Sequence, residues 1–395
     1  MKTVPMRLLI VVPRLVSYLS FLRELCGTLI ADGAEVHVAC SPAPLGNEEL
    51  AAAVDGVQLH HIEFPRGMNP AAHLRAARAL NRLVKMLRPD IVHAHFSAAI
   101  FTTALARTSR WPVTHATFHG VSFLAMRGWK AMLLRAMETW AARRLDGVWV
   151  LSDEDRDGLQ TAAPRATVRK LPGFGVGCDL EKFAPVSAAE RTTIRTQFGI
   201  AREHVAFAFL GRFVDFKGFG DVASAFLTLS ETNPDARLLL IGVRDRLHPT
   251  GLSEEEERTL KASPQIIDIG FRNDVDRCLP AADVLVLPSR REGMPVCAME
   301  ALALGVPVIT YDARGCRAVV RDGIDGVVLR DACVPSLRTA MQLLLDDEGL
   351  RRRWSAAALA GRERFSRARF IAEQTRIYEG LFRSTRSAAV AAAPC

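Results

Sequence analysis

The chain has 395 residues, of which 49% are hydrophobic and 24% are charged, and its formal net charge is +8. That length exceeds one ordinary core and the composition excludes a disordered chain, so we expect two globular domains. No stretch reaches the roughly 18 uninterrupted apolar residues of a membrane-spanning helix, and the first apolar run is too short for a signal peptide. The eight scattered cysteines form no C-x-x-C pair, and we interpret them as small core residues of a cytoplasmic protein.

Strand patterns alternate with helix patterns along the whole chain, which is typical of parallel sheets joined by crossover helices. In the first half, the predicted strands are 6–12, 34–39, 57–62, 90–94, 112–117 and 146–151. The predicted helices there are 18–32, 70–88, 97–109, 129–144 and 153–161. The following segment, 171–190, is rich in Gly and Pro and is the best candidate for a linker.

Basic residues gather in two segments with a helical pattern, 71–88 and 127–144. A basic amphipathic helix can lie on an anionic membrane, or it can be a surface helix whose apolar face is in the core. We favour the core for 71–88, but both interpretations stay open for 127–144, because Trp129 and Trp140 are interfacial residue types. The basic residues lack interleaved stacking aromatics, so nucleic acid is not an expected partner.

The second half restarts the same alternation. Its predicted strands are 205–210, 237–242, 265–269, 283–288, 306–310 and 326–329. One predicted helix ends at about Ser230. The other predicted helices are 252–262, 274–281, 295–304, 315–321, 334–347 and 348 to about 383. The last eight residues are of low complexity and are predicted to be frayed.

Two basic residues, Arg212 and Lys217, follow the strand 205–210 within a loop bounded by glycines. With a spacing of five, both can turn into one pocket. Together they could neutralise a pyrophosphate.

Two carboxylates, Glu292 and Glu300, are eight positions apart around the turn that opens the helix 295–304. Glu292 follows a strand, and ligands bind at that edge of open α/β sheets. A carboxylate near an anion site would repel phosphate, so we predict that Glu292 accepts hydrogen bonds from sugar hydroxyls. Glu300 would reach a second ring of hydroxyls.

An anion site is predicted between these two carboxylates. Its residues are Gly293, Met294, Pro295 and Val296, with Pro295 at the first helical position and the amides facing outward.

The two acids, with the flanking Gly-Met-Pro and Ala-Leu-Ala-Leu-Gly-Val-Pro-Val-Ile, resemble the E-x7-E signature of family 4 retaining glycosyltransferases of the GT-B fold. The Gly-Arg…Lys-Gly motif around Arg212 and Lys217 is similar to that family too, and the resemblance covers nearly the whole chain. It implies two Rossmann-like α/β domains facing across a cleft, with a C-terminal return helix. The expected ranges are 1–183 for the acceptor-binding domain, 184–372 for the nucleotide-sugar domain, and 373–395 for the return helix and frayed tail.

The resemblance also implies roles for single residues. Glu292 would hold the donor sugar, Glu300 the ribose, and Arg212 with Lys217 the departing diphosphate without a required metal or other cofactor. His119 would line the reaction centre, and Arg272 would lie near the nucleotide base. His93 and His95 lie at the end of a predicted strand. Of these two, His95 is a further site candidate, whereas His93 is interpreted as structural, as is His115.

The resemblance is to enzymes of capsule, O-antigen and exopolysaccharide synthesis, because the first loop, 13–20, is bulky where many relatives have two glycines. It implies a nucleotide diphosphate sugar as donor, with UDP favoured, and a polyprenyl-diphosphate-linked glycan as acceptor at the inner face of the cytoplasmic membrane. Two alternatives stay open: a nucleotide-sugar epimerase of the same architecture, and a non-catalytic subunit that binds a sugar nucleotide.

Overall fold

The computed structural model describes residues 5–42, 56–65, 67, 69–245 and 248–391. The chain divides into two compact units, Met1–Val176 with Ala368–Cys395, and Gly177–Arg367. The boundaries between the two units lie at 176/177 and 367/368 in the structure, whereas the sequence predicts them at 183/184 and 372/373. Among the helices of the described ranges, none combines the length and the apolar composition needed to span a bilayer.

The first unit is built on a seven-stranded parallel sheet. Its strands are β1 (Arg7–Arg14), β2 (Glu35–Ser41), β3 (Gln58–His61), β4 (Ile91–His95), β5 (Val113–Phe118), β6 (Gly147–Val150) and β7 (Val168–Lys170). The strand order is β3-β2-β1-β4-β5-β6-β7. The order reverses between β1 and β4, so the carboxyl ends of these two strands flank the position where such sheets bind ligands.

Helices connect these strands. They are α1 (Leu15–Phe21), α2 (Arg23–Ala31), α3 (Pro70–Leu87), α4 (Ser97–Ala106), α5 (Gly128–Arg144) and α6 (Asp153–Ala162), with a 3-10 turn over Ser122–Ala125. Local sequence sets their ends: Asn69 Oδ1 accepts a hydrogen bond from the Ala72 amide, and Pro70 occupies the first turn of α3. Helix α3 buries its apolar face, as the sequence predicts, with Leu80 and Val84 in the core.

The second unit repeats the design with a six-stranded parallel sheet. Its strands are β8 (Val205–Leu210), β9 (Ala236–Ile241), β10 (Ile266–Asp268), β11 (Val284–Leu287), β12 (Val308–Tyr311) and β13 (Gly326–Leu329). The strand order is β10-β9-β8-β11-β12-β13, so the reversal lies between β8 and β11. Both strands are almost wholly buried, as expected for a parallel sheet covered on two faces.

The helices that follow complete the chain. They are α7 (Ala188–Gln197), α8 (Phe219–Ser230), α9 (Glu254–Ala262), α10 (Val275–Cys278), α11 (Val296–Ala303), α12 (Arg314–Val319), α13 (Val334–Asp346), α14 (Glu348–Ala360) and α15 (Arg367–Ala391). Three 3-10 turns cover Asp215–Lys217, Leu279–Ala281 and Arg362–Phe365. Residues 392–395 of the predicted frayed tail lie outside the described residues.

The predicted alternation of strands and helices is confirmed, but several elements differ. The predicted helix 18–32 is interrupted at Leu22 and forms α1 and α2. Strand β7 and helix α7 were not predicted. Helix α7 begins inside the last part of the predicted linker, because Ser187 Oγ caps it by accepting a hydrogen bond from the Glu190 amide. Its apolar pattern is weak, because Ile194 is its one buried hydrophobic residue. The region predicted as continuous from 348 is divided into α14, a 3-10 turn and α15.

Candidate active site

Lys217 and Glu292 form an ion pair at the carboxyl ends of the two strands that flank the reversal of the second sheet. Lys217 ends the 3-10 turn after β8, and Glu292 lies in the loop after β11. Lys217 Nζ donates to Glu292 Oε1 at 2.6 Å, and the side chains are 19% and 9% exposed. Burial alone would lower the pKa of Lys217, but the Glu292 carboxylate outweighs burial, so the pKa of Lys217 is raised. Lys217 is therefore positively charged at neutral pH.

Close backbone contacts hold the two loops in this arrangement. The Arg290 amide donates to the Phe216 carbonyl at 3.0 Å. Gly218 has φ +75°, and a Cβ there would lie 2.3 Å from the Pro288 carbonyl oxygen. Gly315, at the start of α12, lies against the other side of the loop, where a Cβ would come within 2.5 Å of the Gly293 carbonyl oxygen. Neither glycine contact was predicted from the sequence, because neither partner is near its glycine in the chain.

The predicted anion site lies where α11 begins. The helix starts at Val296, and Pro295 is its N-cap residue rather than its first helical residue, a correction of one position. Pro295 has no N–H, so it cannot donate to an anion, and the predicted site loses one of its four amides. In the described part of the chain, the amides of Gly293, Met294 and Val296 donate to no protein acceptor. These three amides remain available beside the ion pair.

Arg212 is paired differently from Lys217. Arg212 Nη1 donates to Asp245 Oδ2 at 2.6 Å, and its guanidinium lies 5.4 Å from the centre of the Phe216 ring. The side chain is half exposed. The structure thus brings Lys217 to Glu292 and Arg212 to Asp245, and the joint pocket of the two cations stays a prediction.

Arg272 is held by a neighbour in sequence. Its Nε and Nη2 donate to the two carboxylate oxygens of Asp274 at 2.8 and 2.6 Å. Asp274 is the N-cap residue of α10 but makes no side-chain capping bond. The Asp274 side chain binds Arg272 instead, because a bidentate guanidinium contact is a stronger partner for a carboxylate than one amide.

Glu300, in the middle of α11, is a half-buried carboxylate. Burial raises its pKa to about 7, against the opposing effect of Arg367 and Lys182 and with a small contribution from Asp276. Near neutral pH this group therefore exchanges between a carboxylic acid and a carboxylate, the form that accepts hydrogen bonds from two adjacent hydroxyls.

Glu300→Gln should make the second unit less sensitive to pH. In wild type, the unfolded state loses the Glu300 proton near pH 4.5, whereas the folded state keeps it until about pH 7. Stability from this group is present below pH 4.5 and is lost as pH rises through 7, by on the order of 2 kcal/mol. Urea unfolding at pH 5 and pH 8 checks this: the loss at pH 8 should shrink in Glu300→Gln and persist in Glu231→Gln, an exposed control. Equal losses in all three proteins would contradict it.

Histidines cluster at the carboxyl end of the first sheet. His119 follows β5, and its ring stacks on Phe96 with centroids 4.2 Å apart. His95 Nδ1 lies 3.1 Å from His119 Nε2. His93 bonds through Nδ1 to the Tyr378 hydroxyl and through Nε2 to Thr117 Oγ1, which agrees with its interpretation as a packing residue. His115 is buried against Trp149.

Two family profiles of known proteins match this chain. The family profile of glycosyl transferases group 1 matches residues 190–360, and the glycosyl transferase 4-like domain matches residues 20–172. The chain belongs to this family of glycosyltransferases. The predicted family and the GT-B fold class are thus confirmed.

Individual relatives are more distant. A galactosyltransferase of Escherichia coli, "UDP-Gal:alpha-D-GlcNAc-diphosphoundecaprenol alpha-1,3-galactosyltransferase", is 28% identical over 290 residues, covering 72% of this chain and 74% of its own length. The putative glycosyltransferase EpsD of Bacillus subtilis is 28% identical over 355 residues, covering 88% of this chain and 89% of its own length. The crystal structure of Anabaena HepE in complex with UDP superimposes with a TM-score of 0.77 at 16% identity, covering 95% of this chain and all of that one. At that identity the likeness is one of fold.

Proposed function

We propose that this protein is a retaining glycosyltransferase that moves a hexose or N-acetylhexosamine from a nucleotide diphosphate sugar, preferably a UDP-sugar, to a polyprenyl-diphosphate-linked glycan. The setting would be the synthesis of a bacterial surface polysaccharide at the inner face of the cytoplasmic membrane. The observation that carries the proposal is the Lys217–Glu292 ion pair at the reversal of the second sheet.

The two residues of the pair would have different roles in sugar transfer. The departing diphosphate gains negative charge in the transition state, and a fixed, partly buried cation stabilises that charge without reorganisation. Lys217 is such a cation, and the amides of Gly293, Met294 and Val296 would add partial positive charge from the start of α11. Glu292 Oε2 is left to accept hydrogen bonds from hydroxyls of the donor sugar, while Oε1 is held by Lys217.

The remaining residues complete the proposed donor site. Glu300 would anchor the ribose, Arg212 would add a second cation to the diphosphate by leaving Asp245, and Arg272 would lie near the base. His119 would line the reaction centre. No metal is required in this scheme, and the acceptor oxygen would attack from the face that the diphosphate leaves, so the anomeric configuration of the sugar is retained.

The relatives supply the proposed substrates. The name of the Escherichia coli relative specifies UDP-galactose and a diphosphoundecaprenol-linked sugar. A Campylobacter jejuni relative, 26% identical over 308 residues, is named as an N-acetylgalactosaminyltransferase acting on a diphospho-undecaprenol-linked sugar. We propose the same classes of donor and acceptor here.

Donor binding tests this proposal. A thermal-shift panel of UDP-, GDP-, ADP- and dTDP-sugars should stabilise the wild-type protein with one nucleotide class. The shift should be much smaller in Glu300→Gln and unchanged in Glu231→Gln. Transfer to an undecaprenyl-diphosphate-linked sugar, with the linkage read by NMR, should give a product that keeps the donor's anomeric configuration. Epimerised donor without acceptor would support the epimerase instead, and absence of any shift or transfer would overturn the enzyme proposal.

Helix α5 supports the proposed membrane contact. It buries Glu138, Thr139, Ala141 and Ala142 but leaves Trp129 66% and Met132 74% exposed, beside basic residues of the same helix. Aromatic side chains flanked by Lys and Arg suit the interface of an anionic membrane. Helix α3, equally basic, packs its apolar face into the core and has no exposed aromatic residue, although Leu74 and Met86 are exposed.

Vesicle sedimentation tests the membrane contact. We expect the protein to sediment with vesicles that contain 30% phosphatidylglycerol, and the Trp129→Ser/Met132→Ser variant to bind about tenfold more weakly, since it loses buried apolar area. Met86→Ser, which removes an equally exposed apolar residue from α3, is the matched control and should bind as wild type. Equal binding by all three proteins would rule out α5 as the contact.

A further inference from the structure

The second histidine of β4 has an unusual environment. His95 is 3% exposed, its Nδ1 lies 3.1 Å from His119 Nε2, and its own Nε2 is buried without a hydrogen-bond partner in the described part of the chain. The His119 ring makes no other hydrogen bond there, so its Nδ1 is the nitrogen left for a ligand. Both rings are neutral at physiological pH, because burial lowers the pKa of His119 to about 3 and holds the pKa of His95 well below its usual value.

Two neutral rings that share one hydrogen bond have two possible proton arrangements. If His119 Nε2 donates to His95 Nδ1, then His95 carries its proton on Nε2, and a buried N–H is left without an acceptor. If His95 Nδ1 donates to His119 Nε2, then His95 Nε2 is only an unused lone pair. Unpaired buried N–H groups are rarer and more costly than unpaired acceptors. The second arrangement is therefore the stable one, and it puts the His119 proton on Nδ1.

The His119 ring is also fixed in orientation. It stacks on Phe96 at an interplanar angle of 13°, and Phe21 lies 5.4 Å away between centroids. Phe96 has φ 67° and ψ 143°, a conformation that costs a non-glycine residue on the order of 1–3 kcal/mol. The Phe96 amide nevertheless donates to the Thr117 carbonyl at 3.2 Å, which keeps the strained residue in place. Strain of this kind is found where the orientation of a side chain matters.

We propose that His95 is a positioning residue that sets the tautomer of His119, so that His119 presents Nδ1–H as a fixed hydrogen-bond donor to an oxygen of the substrate. The oxygen can belong to a sugar hydroxyl or to a phosphate, since both accept hydrogen bonds. The inference rests on the proposed function for the identity of the substrate, but the tautomer itself does not depend on it.

Nitrogen NMR of the ¹⁵N-histidine-labelled full-length protein tests the proposal directly. Protonated and bare ring nitrogens have well-separated shifts, and His119→Gln assigns the signals. We expect wild type to show His119 protonated on Nδ1. His95→Asn keeps a donor at the position of Nδ1 and should keep that pattern, whereas His95→Leu should give a mixture of tautomers. A wild-type His119 protonated on Nε2 would overturn the proposal, even if the variants do not fold.

Kinetics separates positioning from packing. In transfer from UDP-galactose or UDP-N-acetylglucosamine to an undecaprenyl-diphosphate-linked sugar, His95→Leu should lower kcat by about 10- to 100-fold with little change in KM, and His95→Asn should restore most of it. His73→Leu, which removes another buried histidine bonded to Thr102 Oγ1 and the Gly67 carbonyl, should lose stability without this loss of kcat. A kcat in His95→Leu equal to that of His73→Leu would refute the positioning role. Absence of turnover in wild type would instead count against the proposed function, because the NMR measurement still reports the tautomer.

Discussion

Lys217→Met should lower the rate of sugar transfer by about 10³-fold or more. The substitution keeps the length and much of the volume of the side chain but removes the cation that we assign to the leaving diphosphate, a loss comparable to that of an oxyanion-hole donor or larger. The measurement is kcat/KM for transfer from the donor found in the binding panel. A rate near that of wild type would remove Lys217 from the mechanism.

The same substitution should also destabilise the protein, for a reason unrelated to catalysis. Glu292 is only 9% exposed, and Lys217→Met leaves its carboxylate without a counter-charge. Removing one partner of such a pair costs about 3 kcal/mol, whereas removing both costs much less. The double variant Lys217→Met/Glu292→Gln should therefore recover most of the unfolding free energy while transfer remains lost. Recovery of both quantities together would mean that the pair is purely structural.

A second ion pair, at the opposite edge of the sheet, provides the control, although its carboxylate, Asp283, also accepts from Arg195 Nη1 at 3.0 Å. Arg191 Nη2 donates to Asp283 Oδ1 at 2.8 Å just before β11, and the exposed fractions of the two side chains are 37% and 18%. Arg191→Met should lower stability but leave the transfer rate within a few-fold of wild type. A large loss of rate in Arg191→Met would show that transfer responds to any disturbance of this sheet.

The proximity of Lys217 and Glu292 could be predicted from the sequence, because loops after adjacent parallel strands meet at one edge of the sheet. The pattern 205–210 and the pattern 283–288 predict those strands nearly at their observed bounds, β8 and β11. The sequence does not show which cation reaches the carboxylate, and here it is Lys217, while Arg212 binds Asp245. Residues far apart in the chain decide that choice.

Other features depend on packing that no local pattern encodes. The pKa of Glu300 is raised by burial, and its charged neighbours Arg367 and Lys182 are distant in sequence. Strand β7 has three residues at the edge of the sheet, too few for a detectable alternation. The break between α1 and α2 falls in a continuous helical pattern, where Leu22 leaves the helical conformation with φ −129°. Tertiary context overrides local preference at each of these places.

Gly218→Ala should cost the protein about 3 kcal/mol or more of unfolding free energy and abolish donor binding. Two effects add: the residue has φ +75°, and the new Cβ would lie 2.3 Å from the Pro288 carbonyl oxygen, a backbone atom that cannot rotate away. The loop after β8 must therefore retreat from the loop after β11. Because Lys217 is the adjacent residue, its Nζ would move away from Glu292. Urea unfolding and the donor-induced thermal shift measure the two losses.

Gly199→Ala separates the two causes. Gly199 lies in the same unit with φ +67°, but a Cβ there would meet no atom within 4 Å, so its substitution costs only the backbone strain of about 1 kcal/mol. Donor binding should be unchanged in Gly199→Ala. If Gly218→Ala behaves like Gly199→Ala in both measurements, the two loops can separate without consequence, and the 2.6 Å contact between Lys217 and Glu292 is not what the close approach at Gly218 maintains. If it loses donor binding as expected, the glycine is required because it lets two strand-end loops touch, and that contact positions the cation for the diphosphate.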